Sequence, residues 1–249
     1  MKLKQSTLEA IKHLGKINRE LIIHEGKQLR TQDNLNRFIA YVEIEDSMPK
    51  TFGVYDADEF LNAIRLVHDA ELTFEDTHVL ISNKDQAELI YQYANVEFIT
   101  EAPQKVNFPD EIQVETESEF QTRIEEYESG DDKAIKPVRF VTHKCFIDYD
   151  VIEQVVKVSK ALGLDGVRIY SEKGSKSVYI SNTCLRGASK HSFKFPFDVT
   201  SDESEFSYTF DVKRFSLIHK GDYAVAIHGA GISRFKNDTH TYYIATEAV

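Results

Sequence analysis

One pattern is written twice in this chain, 155 positions apart. Tyr55-Asp56-Ala57-Asp58-Glu59-Phe60-Leu61 recurs as Phe210-Asp211-Val212-Lys213-Arg214-Phe215-Ser216. In each copy a short apolar run ends in an aromatic residue and an Asp follows. A helical stretch then carries Phe four places after the Asp and an Ile three or four further on (Ile64, Ile218). An Asp between strand and helix caps the helix by accepting backbone N–H bonds, and the Phe then turns to the core. A chain that repeats itself folds as copies of one unit, so its 249 residues are read as two domains of about 110 residues each.

The 41% of hydrophobic residues suffices for two cores, which excludes general disorder. No apolar stretch approaches the ~20 residues that a membrane helix needs. The opening Met1–Thr7 runs straight into an amphipathic pattern with no signal-peptide core. Two cysteines, Cys145 and Cys184, are too few for a disulfide framework. Together these predict a soluble protein of the cytoplasm.

The net charge of −11 is unevenly spread. Residues 110–132 hold ten acidic side chains and one base, Arg123, and leave the rest of the chain near neutrality. Pro103 and Pro109 precede this run, and Gly130 and Pro137 surround its end. The expected organisation is a first domain over 1–108, an acidic linker over 109–136 and a second domain over 137–249. Within the linker, Phe120, Ile124 and Tyr127 have helical spacing.

Periodicity predicts the same kinds of element on each side. The first half begins with a helix over Thr7–Ile17, with Leu8, Ile11, Leu14 and Ile17 at helical intervals and Ser6 or Thr7 as cap. Strands follow at 21–23, 28–31 and 37–44, the first two joined by a hairpin turn at Glu25-Gly26-Lys27. A strand at 51–55, a helix at 58–68 and strands at 71–74, 78–82 and 88–93 complete it. The second half reads strand 139–143, helix 150–162, then strands 166–171, 177–181, 192–197 and 205–210. A helix at 212–219 and strands at 222–229, 233–236 and 240–246 close the chain. Four short helices among many antiparallel strands make the class α+β.

The outer faces of those helices carry bases: Lys12 and Lys16, Arg65, Lys157 and Lys160, then Lys213 and Arg214. Residues three or four apart share a helix face. Lys and Arg opposite an apolar stripe suit contact with a phosphate backbone that ignores base sequence. Glu9 and Glu153 lie near the same faces and partly offset the bases.

Other constellations point to no chemistry. His143 and Cys145, with Cys184 and His191, lack the closely spaced ligand pairs of a structural zinc site. Gly229-x-Gly231 begins like a dinucleotide fingerprint, but Arg234 stands where its third Gly would be, and strands surround it. It is a hairpin turn. No nucleophile elbow is present. The chain is read as a non-enzyme without cofactor or metal.

The whole chain resembles the sliding clamps of T-even-type bacteriophages. The segments that carry the resemblance are Met1–Lys4 leading into the Thr7–Asn18 helix, Gly53–Asp56 with Phe60-Leu61, Ile152–Leu162 and Tyr242–Ala248. The resemblance implies a DNA-clamp fold and a ring of three chains. Helices would line its hole, and Lys12, Lys16, Arg65, Lys157, Lys160, Lys213 and Arg214 would face duplex DNA. It also implies partners: a C-terminal peptide of the replicative polymerase, an ATP-dependent clamp loader and late-transcription factors. The acidic run is longer than the connection usual in that family. The alternative is a two-domain phage structural or adaptor protein that does not bind DNA, whose basic faces are ordinary solvated surface.

Overall fold

The computed structural model describes residues 1–84, 87–109, 141–185, 191–199 and 205–247, with a few positions between 121 and 129. Most of the acidic run and of the expected 109–136 linker lies outside the described residues. Two compact units emerge. The first comprises Met1–Lys105, Leu217–His219 and Lys236–Tyr243, and the second Val106–Ser216, Lys220–Phe235 and Ile244–Val249. Two pieces of the C-terminal half thus belong to the first unit, where a simple division in the linker would assign them to the second.

In the first unit, α1 (Gln5–Gly15) buries Thr7, Ala10, Ile11, His13 and Leu14. It packs beside α2 (Ala57–Leu66), which buries Phe60, Leu61, Ala63 and Ile64. Four strands lie between the helices: β1 (Leu21–Ile23), β2 (Gly26–Gln32), β3 (Phe38–Met48) and β4 (Phe52–Val54). After α2 comes an antiparallel meander of β5 (Glu71–Phe74), β6 (His78–Ser82) and β7 (Glu88–Gln92). Phe52 lies against the rings of Phe60, Phe74 and Tyr93, and joins the α2 face to the meander.

In the second unit, β8 (Thr142–Ile147) leads into α3 (Tyr149–Leu162), which ends on Gly163 at φ 65°, a left-handed cap that suits glycine. An antiparallel sheet follows, ordered β11 (Lys194–Val199), β10 (Ser177–Thr183), β9 (Gly166–Ser171) and β12 (Phe206–Asp211). α4 (Val212–Phe215) comes next and packs near α3. β13 (Tyr223–His228) pairs with β8, and the turn at 229–231 joins β13 to β14 (Ile232–Lys236). β15 (His240–Ala245) begins in the first unit and ends in the second. Phe210, Phe215 and Phe235 are fully buried and mutually packed.

The repeated motif does what its residues require. Asp56 Oδ1 accepts the Asp58 and Glu59 N–H groups at 2.9 and 3.3 Å, and Asp211 Oδ1 accepts the Lys213 N–H at 2.7 Å. Phe60 and Phe215 are buried beneath these caps. The copies part at the residue before the cap, where Phe210 is buried and Tyr55 is 67% exposed. β12 runs on to Asp211, whereas β4 stops at Val54 and leaves Tyr55 outside its ladder.

Three expectations need correction. Glu25–Lys27 is not a hairpin, because β1 pairs with β4 and β2 with β3. Gly26, at φ 107°, instead turns the chain from one sheet to another, and the Glu25 N–H donates to Thr51 Oγ1. The helix expected at 212–219 ends at Phe215, where Ser216 Oγ donates to the Lys213 carbonyl and competes for helix bonding. Neither Ser6 nor Thr7 caps α1, whose N-cap is Lys4 without a side-chain bond. Ser6 Oγ donates to Glu45 Oε1 at 3.0 Å, and Thr7 is buried.

Candidate nucleic-acid interface

The first helix of each unit buries the same spacing of residues. Thr7, Ala10, Ile11 and Leu14 of α1 match Ile152, Val155, Val156 and Ser159 of α3. Lys12 and Lys157 therefore occupy equivalent outward positions, and both are exposed. Lys16, the C-cap of α1, and Lys160 on α3 are also exposed. Lys157 Nζ holds Glu153 Oε2 at 2.7 Å on the helix surface. Such an exposed pair is weak enough for a phosphate to displace the glutamate.

The second helices are shorter and contribute less. Arg65 is exposed near the end of α2, and its Nη1 donates to Asn62 Oδ1 at 3.3 Å. Asp58 and Glu59 occupy the opposite end, beside the helix N-terminus. On α4, Lys213 is exposed. Arg214 is not: its side chain is 11% exposed, with Nη1 at 2.8 Å from Glu247 Oε1 and 3.6 Å from Asp211 Oδ2. Adjacent helical residues point about 100° apart, so Lys213 and Arg214 cannot share a face. Arg214 is a tie to the chain's C-terminal residues, and six of the seven expected bases remain on the exposed surface.

Sequence reasoning passed over two kinds of residue here. Arg19 lies just beyond α1, 78% exposed, and donates from Nε to Asp56 Oδ2 at 2.7 Å; it braces the α2 cap. The polar side chains beneath α1 and α3 were also missed. His13 is buried, with Nε2 2.8 Å from the Tyr242 hydroxyl and its ring edge-on to His219. Burial first, and then the neighbouring His219, His240 and Lys16, lower its pKa to about 3. His240 stacks on His219 at 4.7 Å, and burial lowers its pKa to about 4. A histidine in the apolar stripe of a helix was the available signal.

The His143 ring stacks on Phe206 at 4.3 Å, and both cysteines are free and half-buried. Among the described residues no group of three His, Cys, Asp or Glu side chains could hold a metal ion. Gly229–Gly231 is a hairpin turn with Gly231 at φ 89°. No described helix is long and apolar enough to cross a membrane.

Over its full length the chain is 40% identical to the sliding clamp of Vibrio phage KVP40, and it covers all of that protein. The chain belongs to the sliding-clamp family. The sliding clamp of Escherichia phage RB69 is 21% identical over all of this chain and 97% of its own. A family model described as gp45 sliding clamp, C terminal, matches residues 147–248. Among solved structures, A. fulgidus PCNA with the C-terminal region of FEN-1 bound superposes with a TM-score of 0.64 at 14% identity. That match covers all of this chain and 97% of the other. The α+β architecture is therefore the DNA-clamp fold. Sliding clamps are processivity factors of DNA replication, so this clamp is a binding protein and not an enzyme.

Proposed function

We propose that three copies of this clamp close into a ring around duplex DNA and tether the replicative polymerase to it. Each chain contributes two clamp domains, over 1–108 and 137–249, joined by the acidic connection at 109–136. Lys12, Lys16, Arg65, Lys157, Lys160 and Lys213 meet the phosphates, and Arg214 leaves the set for its tie to Glu247. The observation that carries this reading is the equivalence of Lys12 and Lys157. Both lie opposite the buried stripe of the first helix of their unit, in a chain whose net charge is −11. Acidity elsewhere disfavours binding of DNA to other surfaces and leaves the helix bases to hold it. Contacts made by Lys and Arg to phosphate are blind to sequence, which a sliding protein needs.

The relatives named as sliding clamps support this reading, as does the bound partner peptide of A. fulgidus PCNA. By the same reasoning the clamp takes a C-terminal peptide of its polymerase, is opened by an ATP-dependent loader and serves late transcription. It works in the cytoplasm of the infected cell. The test has two parts. Sedimentation equilibrium gives about 86 kDa, for three chains of 28.6 kDa, if the ring forms. Reversal of charge at Lys12, Lys157 and Lys213 then lowers polymerase processivity while folding is unchanged. A monomer at all concentrations, or full processivity in the triple variant, rejects the reading.

A further inference from the structure

Burial of apolar surface is non-directional: it selects the face of a helix that turns inward but fixes the helix only loosely about and along its axis. α3 lies against β9 and β10. The inward residues of those strands, Val167, Ile169, Val178 and Ile180, are fully buried, and α3 meets them with Ile152, Val155 and Val156. One directional contact interrupts this aliphatic surface. Asn182 of β10, 5% exposed, donates from Nδ2 to the Val155 carbonyl at 2.9 Å and to Ser159 Oγ. Both bonds leave one nitrogen, so these grips hold the helix at a single point off its axis, which sets its rotation and its axial position.

Those grips set where the bases point. At about 100° per residue, Lys157 lies about 180° from the direction midway between residues 155 and 159, and Lys160 about 120° from it. Lys157 therefore projects directly away from the latch. α1 has a latch of its own, since His13, next to Lys12, meets the buried Tyr242 hydroxyl at 2.8 Å. That hydroxyl also accepts the His219 N–H at 3.3 Å.

We infer that Asn182 and Ser159 are positioning residues, which hold α3 at the rotation that turns Lys157 and Lys160 toward the DNA. The inference rests on the DNA-facing reading of those lysines. Stability alone does not account for the pair. The Asn182 Oδ1 atom is buried without a hydrogen-bond partner among the described residues. Replacing both partners of a buried polar contact by apolar groups of similar shape is often neutral or stabilising. What the pair supplies, and an aliphatic pair does not, is direction. Functional side chains need that support from the residues beneath them.

The experiment compares two double variants of the full-length clamp, Asn182→Leu with Ser159→Ala and Lys157→Ala with Lys160→Ala. Each is titrated with a short fluorescent duplex over a range of salt. The latch variant is expected to keep its native mass and its thermal midpoint, or to raise the latter. Its affinity falls to that of the lysine variant. Its plot of log affinity against log salt becomes shallower by about 0.9 for each phosphate that the protein no longer neutralises. Combining all four substitutions brings no further loss, and Ser159→Thr, which keeps a hydroxyl, retains wild-type binding. A wild-type salt slope in the latch variant, with a loss in the lysine variant, overturns the positioning role and leaves the DNA reading standing. Wild-type binding by the lysine variant overturns both. If the latch variant does not fold, Ser159→Ala alone carries the test. It leaves the Val155 contact in place, and a wild-type slope there again overturns the proposal.

Discussion

A Cβ atom at Gly15 would stand 2.6 Å from the Cβ of Ala57, closer than two such carbons can approach. The end of α1 and the start of α2 touch at that point, so the spacing of the helix pair depends on the missing side chain. In an isolated helix Gly15→Ala would be favourable by about 1 kcal/mol. Here the overlap dominates, and the substitution is expected to destabilise the clamp by about 1–3 kcal/mol, as overpacked cores do. Denaturant unfolding of Gly15→Ala beside Ala57→Gly decides it. Combining the two should recover most of the loss.

The Arg214–Glu247 pair yields a prediction that separates structure from DNA contact. Its side chains are 11% and 18% exposed, so removing one partner leaves a poorly solvated charge. Arg214→Met alone is expected to cost about 2–3 kcal/mol in unfolding free energy. The same variant should leave the salt dependence of DNA binding unchanged, while Lys213→Met shows the reverse. Loss of salt dependence in Arg214→Met would return Arg214 to the DNA-facing surface.

Local signals made much of this clamp legible in its sequence. The strands at 21–23, 71–74, 78–82 and 166–171 match the periodicity residue for residue, because alternation, glycine and Asp caps all act within a few positions. The outward bases of α1 and α3 follow from helical spacing alone. What escaped depends on distant partners. A turn such as Glu25-Gly26-Lys27 looks the same whether the strands beside it pair or part. Only the pairing of β1 with β4, across the whole of β2 and β3, shows that Gly26 turns a corner. Arg214 looks like any helix base until Glu247 comes to it. Asn182 reads as an ordinary polar residue in a strand, and its meaning appears only when Val155 and Ser159 lie above it.

Cys145 gives a simple chemical test of burial. Desolvation, with the nearby Asp198 carboxylate second, pushes its thiol pKa up to about 12. The reactive thiolate is then scarce at pH 8. Iodoacetamide at that pH should leave Cys145 unmodified in the folded clamp and alkylate it fully in denaturant, as peptide mass mapping would read. Rapid labelling of Cys145 in the native protein would contradict the desolvation of its thiol.

Stability should fall in acid because of the rings beneath α1. His13 and His240 titrate at about 3 and about 4 when folded, against 6.5 for an ordinary histidine. Burial and the neighbouring rings disfavour their charged forms, so between those values and 6.5 the unfolded chain binds more protons than the folded one. Unfolding free energy then rises with pH in this window. The contribution is fully present above 6.5 and is lost as pH falls toward 3. Each ring adds a slope of up to about 1.4 kcal/mol per pH unit. Glu9, Glu43 and Glu45 line the neighbouring pocket with His219 and His240. Urea unfolding between pH 4.5 and 7.5, above most carboxylate titration, isolates the histidine contribution. His13→Gln, neutral throughout and still able to reach Tyr242, is expected to flatten the profile by about one proton. An equally steep profile in that variant would place the acid sensitivity elsewhere in the clamp.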